Sequence, residues 1–148
     1  YRASTGLYQG RILMSYSVIR CVLSGSYRKD IEGLRRAYLE LVACGCQILS
    51  PHRMDFVNPE GPFVKDTAEC DLSEAEIENH HLLAISQADF VWLHNPEGYV
   101  GVSGAFEVGY AHAKNIPVFS QSPPGNTTLG AYVTAVPGVF DAILAVRG

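Results

Sequence analysis

The chain has 148 residues, of which 47% are hydrophobic and 18% charged, and this balance excludes a disordered or collagen-like protein. Fifteen acidic residues against eleven basic ones give a net charge of −4, so duplex nucleic acid is not an expected partner. The apolar runs are far shorter than the roughly 18 residues that indicate a membrane span, and the length favours one domain.

Two features outside the main pattern concern the N-terminus and the cysteines. We expect residues 1–17 to form an N-terminal arm, either vector-derived or flexible, and residues 18–148 to form a single domain. The chain has four cysteines: Cys21, Cys44, Cys46 and Cys70. None has the C-x-x-C spacing of zinc and redox motifs, so they indicate reduced thiols and a cytoplasmic protein. A metal site or a disulfide is the alternative.

Short apolar runs alternate with amphipathic stretches along the domain. The first half predicts a strand at 18–23, a helix at 30–43, a strand at 47–50, a long mixed segment at 51–72, and a helix from a Ser73/Glu76 capping box to about residue 88. The second half predicts a strand at 89–94, a glycine-rich turn at 95–102, a helix at 103–115, a strand at 117–120, a loop at 121–130, a short strand at 132–136 and a helix at 138–146.

This alternation, with nearly continuous apolar strands, predicts a parallel sheet covered by helices on both faces. The predicted fold is therefore α/β, a small doubly wound, flavodoxin-like sheet of about five strands. Ligands of such folds bind beyond the carboxyl ends of the strands. The turns that follow the first and third predicted strands are expected on that edge.

The first of these turns reads Ser24-Gly25-Ser26-Tyr27-Arg28. It combines small residues, hydroxyl groups and backbone N–H groups at a helix N-terminus with an arginine, a combination that suits an anion. It matches neither the G-x-G-x-x-G motif nor a P-loop. Contact with a phosphate or ribose, and an ordinary turn with a solvated arginine, both remain open.

The second turn and the start of the helix after it, residues 95–107, contain three glycines that would let a ligand approach the backbone: Gly98, Gly101 and Gly104. Ser103 is the expected N-cap of the next helix. Glu107 then lies in or just after the first helical turn, where the helix dipole favours an ionised carboxylate. Such a carboxylate facing a cleft can attack an electrophilic sugar carbon. The alternative is a surface acid that only satisfies the dipole.

Three blocks stand out around this second turn: Ala88 to Leu93, Gly104 to Ala111, and Ile116 to Val118. Together with the opening Leu23 to Arg28, they resemble the nucleoside 2-deoxyribosyltransferase family. The opening is most similar to the branch of that family that hydrolyses nucleoside 5′-monophosphates. The resemblance covers most of residues 18–120 and implies the doubly wound fold.

The resemblance implies an enzyme that acts on the N-glycosidic bond of nucleosides or nucleoside 5′-monophosphates, by hydrolysis or deoxyribosyl transfer. Glu107 would attack C1′ of the sugar and form a covalent glycosyl-enzyme, as in retaining glycosidases. The sugar and its 5′ end would contact residues of both turns: Ser24, Gly25, Ser26, Tyr27, Arg28, Gly101 and Ser103. No cofactor is implied. A homo-oligomer is expected, with Asn126 as a candidate contact donated by a neighbouring subunit.

The sequence departs from the family pattern on the helix before the third strand. Members commonly carry an aspartate there, and this chain has His81, in the middle of the predicted buried stripe. A histidine can act as a general acid, and the alternative is a core histidine with a backbone partner. Gly101 also stands where transferases often have an aspartate. A nucleotide-binding or sensing module without turnover therefore remains the alternative function.

Other side chains on the ligand edge complete the set of candidates. His94 ends the third predicted strand there and is a further substrate contact candidate. The histidines lack the neighbouring acids or thiols of a zinc site, so no metal is predicted. The expected partner is a small-molecule nucleoside or nucleotide, with neither duplex nucleic acid nor a membrane as a partner.

Overall fold

The computed structural model describes residues 17–52, 54, 56–57, 65–66 and 71–148. The predicted N-terminal arm, apart from Ser17, and Cys70 lie outside the described residues. The strands are β1 Arg20–Gly25, β2 Gln47–Ser50, β3 Phe56–Val57, β4 Lys65–Asp66, β5 Phe90–His94, β6 Val118–Ser120 and β7 Thr134–Ala135. The helices are α1 Ile31–Ala43, α2 Glu74–Gln87, α3 Val102–Ala113, α4 Thr127–Gly130 and α5 Val139–Arg147, with a 3₁₀ turn at Pro96–Gly98.

The main sheet has five parallel strands in the order β2-β1-β5-β6-β7. This order confirms the predicted α/β, flavodoxin-like fold. The strands β3 and β4 pair antiparallel in a separate small sheet, inside the segment predicted only as a long connection. At the centre of the main sheet, Gly25 at the end of β1 pairs with His94 at the end of β5. The turns that follow β1 and β5 are therefore neighbours.

Helices cover both faces of this sheet, and each face has its own core. On one face, α1 and α5 pack against alternate residues of β1 and β5, including Leu23 and Phe90. On the other face, α2 and α3 pack against the residues in between, including Val22 and Val91. All four of these side chains are buried. Burial of each side chain contributes about 1.5–3 kcal/mol to the free energy of unfolding. The central strands β1 and β5 therefore hold the two turns that follow them in place.

The helix boundaries follow from identifiable caps. The Asp30 side chain accepts a hydrogen bond from the backbone N–H of Gly33 at 3.1 Å and so caps α1. The predicted capping box of α2 is confirmed, since the Ser73 hydroxyl accepts from Glu76 N at 3.1 Å and Glu76 accepts from Ser73 N at 2.8 Å. Gly45, with a φ of +88°, follows the end of α1 as predicted.

Gly25 joins β1 to the first turn in a conformation that other residues rarely adopt. Its φ is +139°, and a Cβ atom there would overlap the carbonyl oxygen of His94. We expect Gly25→Ala to lower the free energy of unfolding by about 2 kcal/mol or more, since both the backbone and the contact are strained. Urea denaturation measures this.

The matched control is Gly109→Ala, because Gly109 is helical and a Cβ atom there meets no atom within 4 Å among the described residues. That change is expected to stabilise the protein by about 0.5–1 kcal/mol. Equal effects of the two substitutions would contradict the strain at Gly25.

In the described parts of the chain, no helix is both long and apolar enough to cross a membrane.

Cys21, Cys44 and Cys46 are free thiols. Cys21 and Cys46 are buried and hydrogen-bonded to each other, and this bond together with burial raises the pKa of Cys21. Cys21 therefore stays protonated and acts as a core residue.

Candidate active site

A cleft of about 330 Å³ opens at the carboxyl edge of the sheet, between the turns after β1 and β5. The helices α2 and α3 form its other walls. Its lining residues are Gly25 to Arg28, Ser50, Pro51, Ile77, Glu78, His81, Tyr99, Gly101 to Gly104, and Glu107. The cleft therefore lies where ligands bind in doubly wound folds.

Glu107 projects from α3 and is only 6% exposed. The prediction that Ser103 caps this helix is wrong. The N-cap is Gly101, whose extended backbone accepts from Ala105 N at 2.9 Å without a side-chain cap, so Ser103 is already the second helical residue. Glu107 consequently lies in the second turn of the helix. Because the dipole acts mainly within the first turn, the ionisation of Glu107 must have other causes.

His81 lies beside Glu107 and is buried on α2, in the apolar stripe that the sequence predicts. Its Nε2 atom is 3.4 Å from Glu107 Oε1 and 3.2 Å from Ser24 Oγ. Its Nδ1 atom is 2.7 Å from Ser50 Oγ. Both ring nitrogens therefore contact protein groups, and the ring is fixed against the Glu107 carboxylate.

Glu78, one helical turn before His81, is the second carboxyl group of the cleft. It is half-buried and hydrogen-bonded to Glu107. Burial, the hydrogen bond with Glu107 and the charge of Glu107 together raise the pKa of Glu78 to about 8, against the opposing effect of His81. Glu78 is therefore mainly protonated at neutral pH.

The pKa of Glu107 moves in the opposite direction. Burial alone would raise it, but the charge of His81 and the hydrogen bonds from His81, Glu78 and Ser24 outweigh burial and lower the pKa below its ordinary value. The cleft thus holds one carboxylate and one neutral carboxylic acid in contact. Two carboxyl groups whose surroundings separate their pKa values are typical of acid–base and nucleophilic sites.

The raised pKa of Glu78 predicts a dependence of stability on pH. The folded protein keeps the Glu78 proton up to about pH 8, whereas the unfolded chain releases it near its ordinary value of 4.5. The folded state binds more protons in this window, so the Glu78 contribution to the free energy of unfolding falls as pH rises from about 4.5 to 8. Thermal unfolding between pH 5 and 9 measures it. Glu78→Gln should remove this decline, and an equal decline in both proteins would contradict the assignment.

The predicted residues of the first turn lie either in the wall of the cleft or directly beneath it. Gly25, Ser26, Tyr27 and Arg28 line the cleft directly. Ser24 lies beneath them, only 1% exposed, where its hydroxyl contacts His81. On the opposite wall, Gly101 and Ser103 also line the cleft. The structure therefore brings the residues predicted from both turns around one cavity.

His94 and Asn126 do not line this cleft. His94 Nε2 is 3.0 Å from Asp30 Oδ2, and this hydrogen bond lowers the pKa of Asp30. His94 thus supports the start of α1 from behind the first turn. Asn126 caps α4, because its side-chain oxygen accepts from Thr128 N at 2.9 Å. Among the described residues, no three histidine, cysteine or acidic side chains are placed to bind a metal ion together.

Comparisons with known proteins add one finding. No family model matches the sequence, and no curated protein matches it. Among solved structures, the CMP N-glycosidase BcmB of Clostridium botulinum aligns with a TM-score of 0.52 at 12% identity. The alignment covers 86% of this chain and 96% of that chain. The two proteins share a fold. At this identity the likeness concerns the fold alone.

Sequence reasoning missed Glu78 and Ser50 as residues of the cleft. Glu78 precedes His81 by three positions, a spacing that places both on one face of a helix. Ser50 ends the second predicted strand, which neighbours the first in a doubly wound sheet. Both signals were available once His81 and the first turn were singled out.

Proposed function

We propose that the protein is an enzyme of the nucleoside 2-deoxyribosyltransferase family that cleaves the N-glycosidic bond of nucleosides or nucleoside 5′-monophosphates. The observation that carries this proposal is Glu107, a buried ionised carboxylate held by His81 in a cleft of ligand size. The sequence resemblance and the fold shared with a CMP N-glycosidase support it.

In the proposed reaction, a Glu107 oxygen attacks C1′ of the sugar. The C1′–N bond breaks with its electron pair on the base, and a glycosyl ester of Glu107 forms. Attack of water on C1′ then releases the sugar and restores the Glu107 carboxylate, with net retention at C1′. His81 orients the carboxylate through its 3.4 Å contact with Oε1. No cofactor takes part in these steps.

Positive groups on the first turn favour a 5′-phosphate at the entrance of the cleft. Arg28 lines the cleft and is exposed. Lys29 follows it, with its Nζ atom 4.6 Å from the centre of the Tyr99 ring and its backbone N–H donated to Ser26 Oγ at 3.1 Å. Among the candidate substrates, nucleoside 5′-monophosphates therefore fit best.

Arg28→Ala tests this phosphate contact. Loss of a charge-assisted hydrogen bond costs about 1.5–3 kcal/mol, so we expect KM for a nucleoside 5′-monophosphate to rise about 10- to 100-fold. The kcat/KM for the corresponding nucleoside should stay unchanged, since it carries no phosphate. Arg36→Ala, an exposed change on α1 away from the cleft, is the control. A similar loss for both substrates would contradict phosphate recognition by Arg28.

The activity itself is tested by incubating the protein with a panel of ribo- and deoxyribonucleosides and their 5′-monophosphates. Chromatography then measures the released base. The panel includes CMP, because the structural neighbour is a CMP N-glycosidase. We expect base release from at least one 5′-monophosphate. No base release from any compound would refute the enzymatic proposal.

Two alternatives share the same cleft. A nucleotide-binding module without turnover is favoured by His81, which stands where members of the resembling family carry an aspartate. Calorimetric binding of a nucleotide without base release would establish it. Transfer of the sugar to a second base is the other alternative, and it requires that an added base raise sugar turnover above the rate in water.

A homo-oligomer is also proposed, on the resemblance and on the outer face of α3. Val102 is 90% exposed and Phe106 is 56% exposed beside the cleft, so a second copy covering them would help to close it. We expect Phe106→Glu to yield a monomer in light scattering after size exclusion, while the wild type is larger. A monomeric wild type would contradict this proposal.

A cytoplasmic location remains a prediction from the cysteines.

A further inference from the structure

The bond cleavage proposed above needs a proton donor. A nucleobase leaves C1′ with the electron pair of the broken bond, and protonation of the base makes this departure easier. His81 occupies the position of the family aspartate, but Ser24 and Glu107 contact its Nε2 atom and Ser50 contacts its Nδ1 atom. His81 is therefore suited to position Glu107 rather than to protonate a base.

Glu78 has the geometry of a donor. It lines the cleft from α2 and is hydrogen-bonded to Glu107 on the neighbouring helix α3. Its Oε2 atom is buried and has no hydrogen-bond partner among the described residues. A buried polar atom without a partner is costly, and this cost favours the protonated, neutral form of the Glu78 carboxyl group. The Glu78 carboxyl group therefore contacts the attacking carboxylate and belongs to the wall of the cavity that a substrate would occupy.

We propose that Glu78 is the general acid and base of the reaction, an inference that rests on the proposed function. In the first step, the Glu78 proton moves to the base as the C1′–N bond breaks and a Glu107 oxygen bonds to C1′. In the second step, the Glu78 carboxylate takes a proton from water, whose oxygen bonds to C1′ while the C1′–Glu107 bond breaks. Both carboxyl groups then return to their starting states.

The charged groups around Glu78 are compatible with this role at neutral pH. Glu107 on α3 is the acidic neighbour that keeps the proton on Glu78, and His81 on α2 has the opposite effect. Arg28 on the first turn and Tyr99 on the second line the same cleft. With its pKa raised to about 8, Glu78 remains an acid where an ordinary glutamate is ionised.

The experiment compares two leaving groups in Glu78→Gln, which keeps the size of the side chain. The first substrate is the best 5′-monophosphate of the panel, and the second is 4-nitrophenyl riboside 5-phosphate, whose leaving group needs no proton. We expect base release from the nucleotide to fall about 100-fold or more. Formation of the glycosyl-enzyme from the nitrophenyl compound, seen as a burst of nitrophenolate, should change less than about fivefold.

Two further readouts separate catalysis from a structural role. In the wild type, the rate of base release from the nucleotide should decline above about pH 8, where Glu78 loses its proton. In Glu78→Gln, the nitrophenolate burst should show no such decline over the same pH range. Added azide should restore turnover of the nitrophenyl compound by the variant, giving a glycosyl azide with retained configuration. Glu74→Gln, an exposed change on the same helix, is the control and should behave as the wild type.

The possible failures are distinguishable. If the wild type releases base and Glu78→Gln does so within about threefold, Glu78 is not the acid. If Glu78→Gln loses activity on both substrates to the same extent and azide does not restore turnover, Glu78 has only a structural role and the inference is overturned. If the wild type releases no base at all, the proposed function fails and this inference fails with it.

Discussion

Glu107→Gln is expected to lower kcat for base release by about 10⁴-fold or more, because an amide cannot form the glycosyl ester. The amide has nearly the shape of the carboxylate and still accepts a hydrogen bond from His81, so the fold should persist. The comparison is the initial rate on the best substrate of the panel, with circular dichroism to verify folding.

Glu97→Gln is the matched control for this substitution. Glu97 lies in the turn before α3, is exposed and does not line the cleft, so its variant should keep wild-type activity. If Glu107→Gln kept more than about one tenth of the wild-type rate, Glu107 would not be the nucleophile.

His81→Ala should produce the second large effect, on activity and on stability together. It removes the partner of a buried carboxylate, which typically costs about 3–5 kcal/mol of unfolding free energy. It also removes the charge that lowers the pKa of Glu107, so this pKa should rise. Since only ionised Glu107 attacks, the acidic limb of the pH–rate profile should move to higher pH.

His81→Asn guards against a variant that fails to fold. The amide keeps a hydrogen-bonding group near Ser24 and Glu107 but carries no charge. The acidic limb of the pH–rate profile should therefore move to higher pH in this variant too, with a smaller loss of stability than in His81→Ala. An unchanged limb in a folded His81→Asn protein would show that His81 does not control the ionisation of Glu107.

Much of the fold could be predicted because its signals are local. The apolar strands, the Ser73/Glu76 capping box and Gly45 at the end of α1 each depend on neighbouring residues. The β3–β4 pair could not be predicted, since strands of two residues are too short to show a period. The N-cap of α3 could not be predicted from the sequence, because it is Gly101, which has no side chain to form a capping hydrogen bond.

The candidate site was predictable only in part, because its chemistry depends on contacts between distant residues. Glu107 and the first turn could be located from the order of strands and helices. His94 is hydrogen-bonded to Asp30, which lies 64 positions away in the sequence, and it does not line the cleft. Likewise, the raised pKa of Glu78 comes from its burial and from Glu107 on another helix, and no local pattern encodes that pairing.

The most direct test of the central claim is to look for the covalent intermediate on Glu107. The protein is incubated with a 2′-deoxy-2′-fluoroarabino analogue of its best nucleotide substrate, which slows release of the sugar. Intact-protein mass spectrometry and peptide mapping follow. We predict a mass increase equal to one fluorinated sugar phosphate, located on Glu107 and absent from Glu107→Gln. Base release from the analogue with no adduct, or with an adduct on another residue, would contradict nucleophilic catalysis by Glu107.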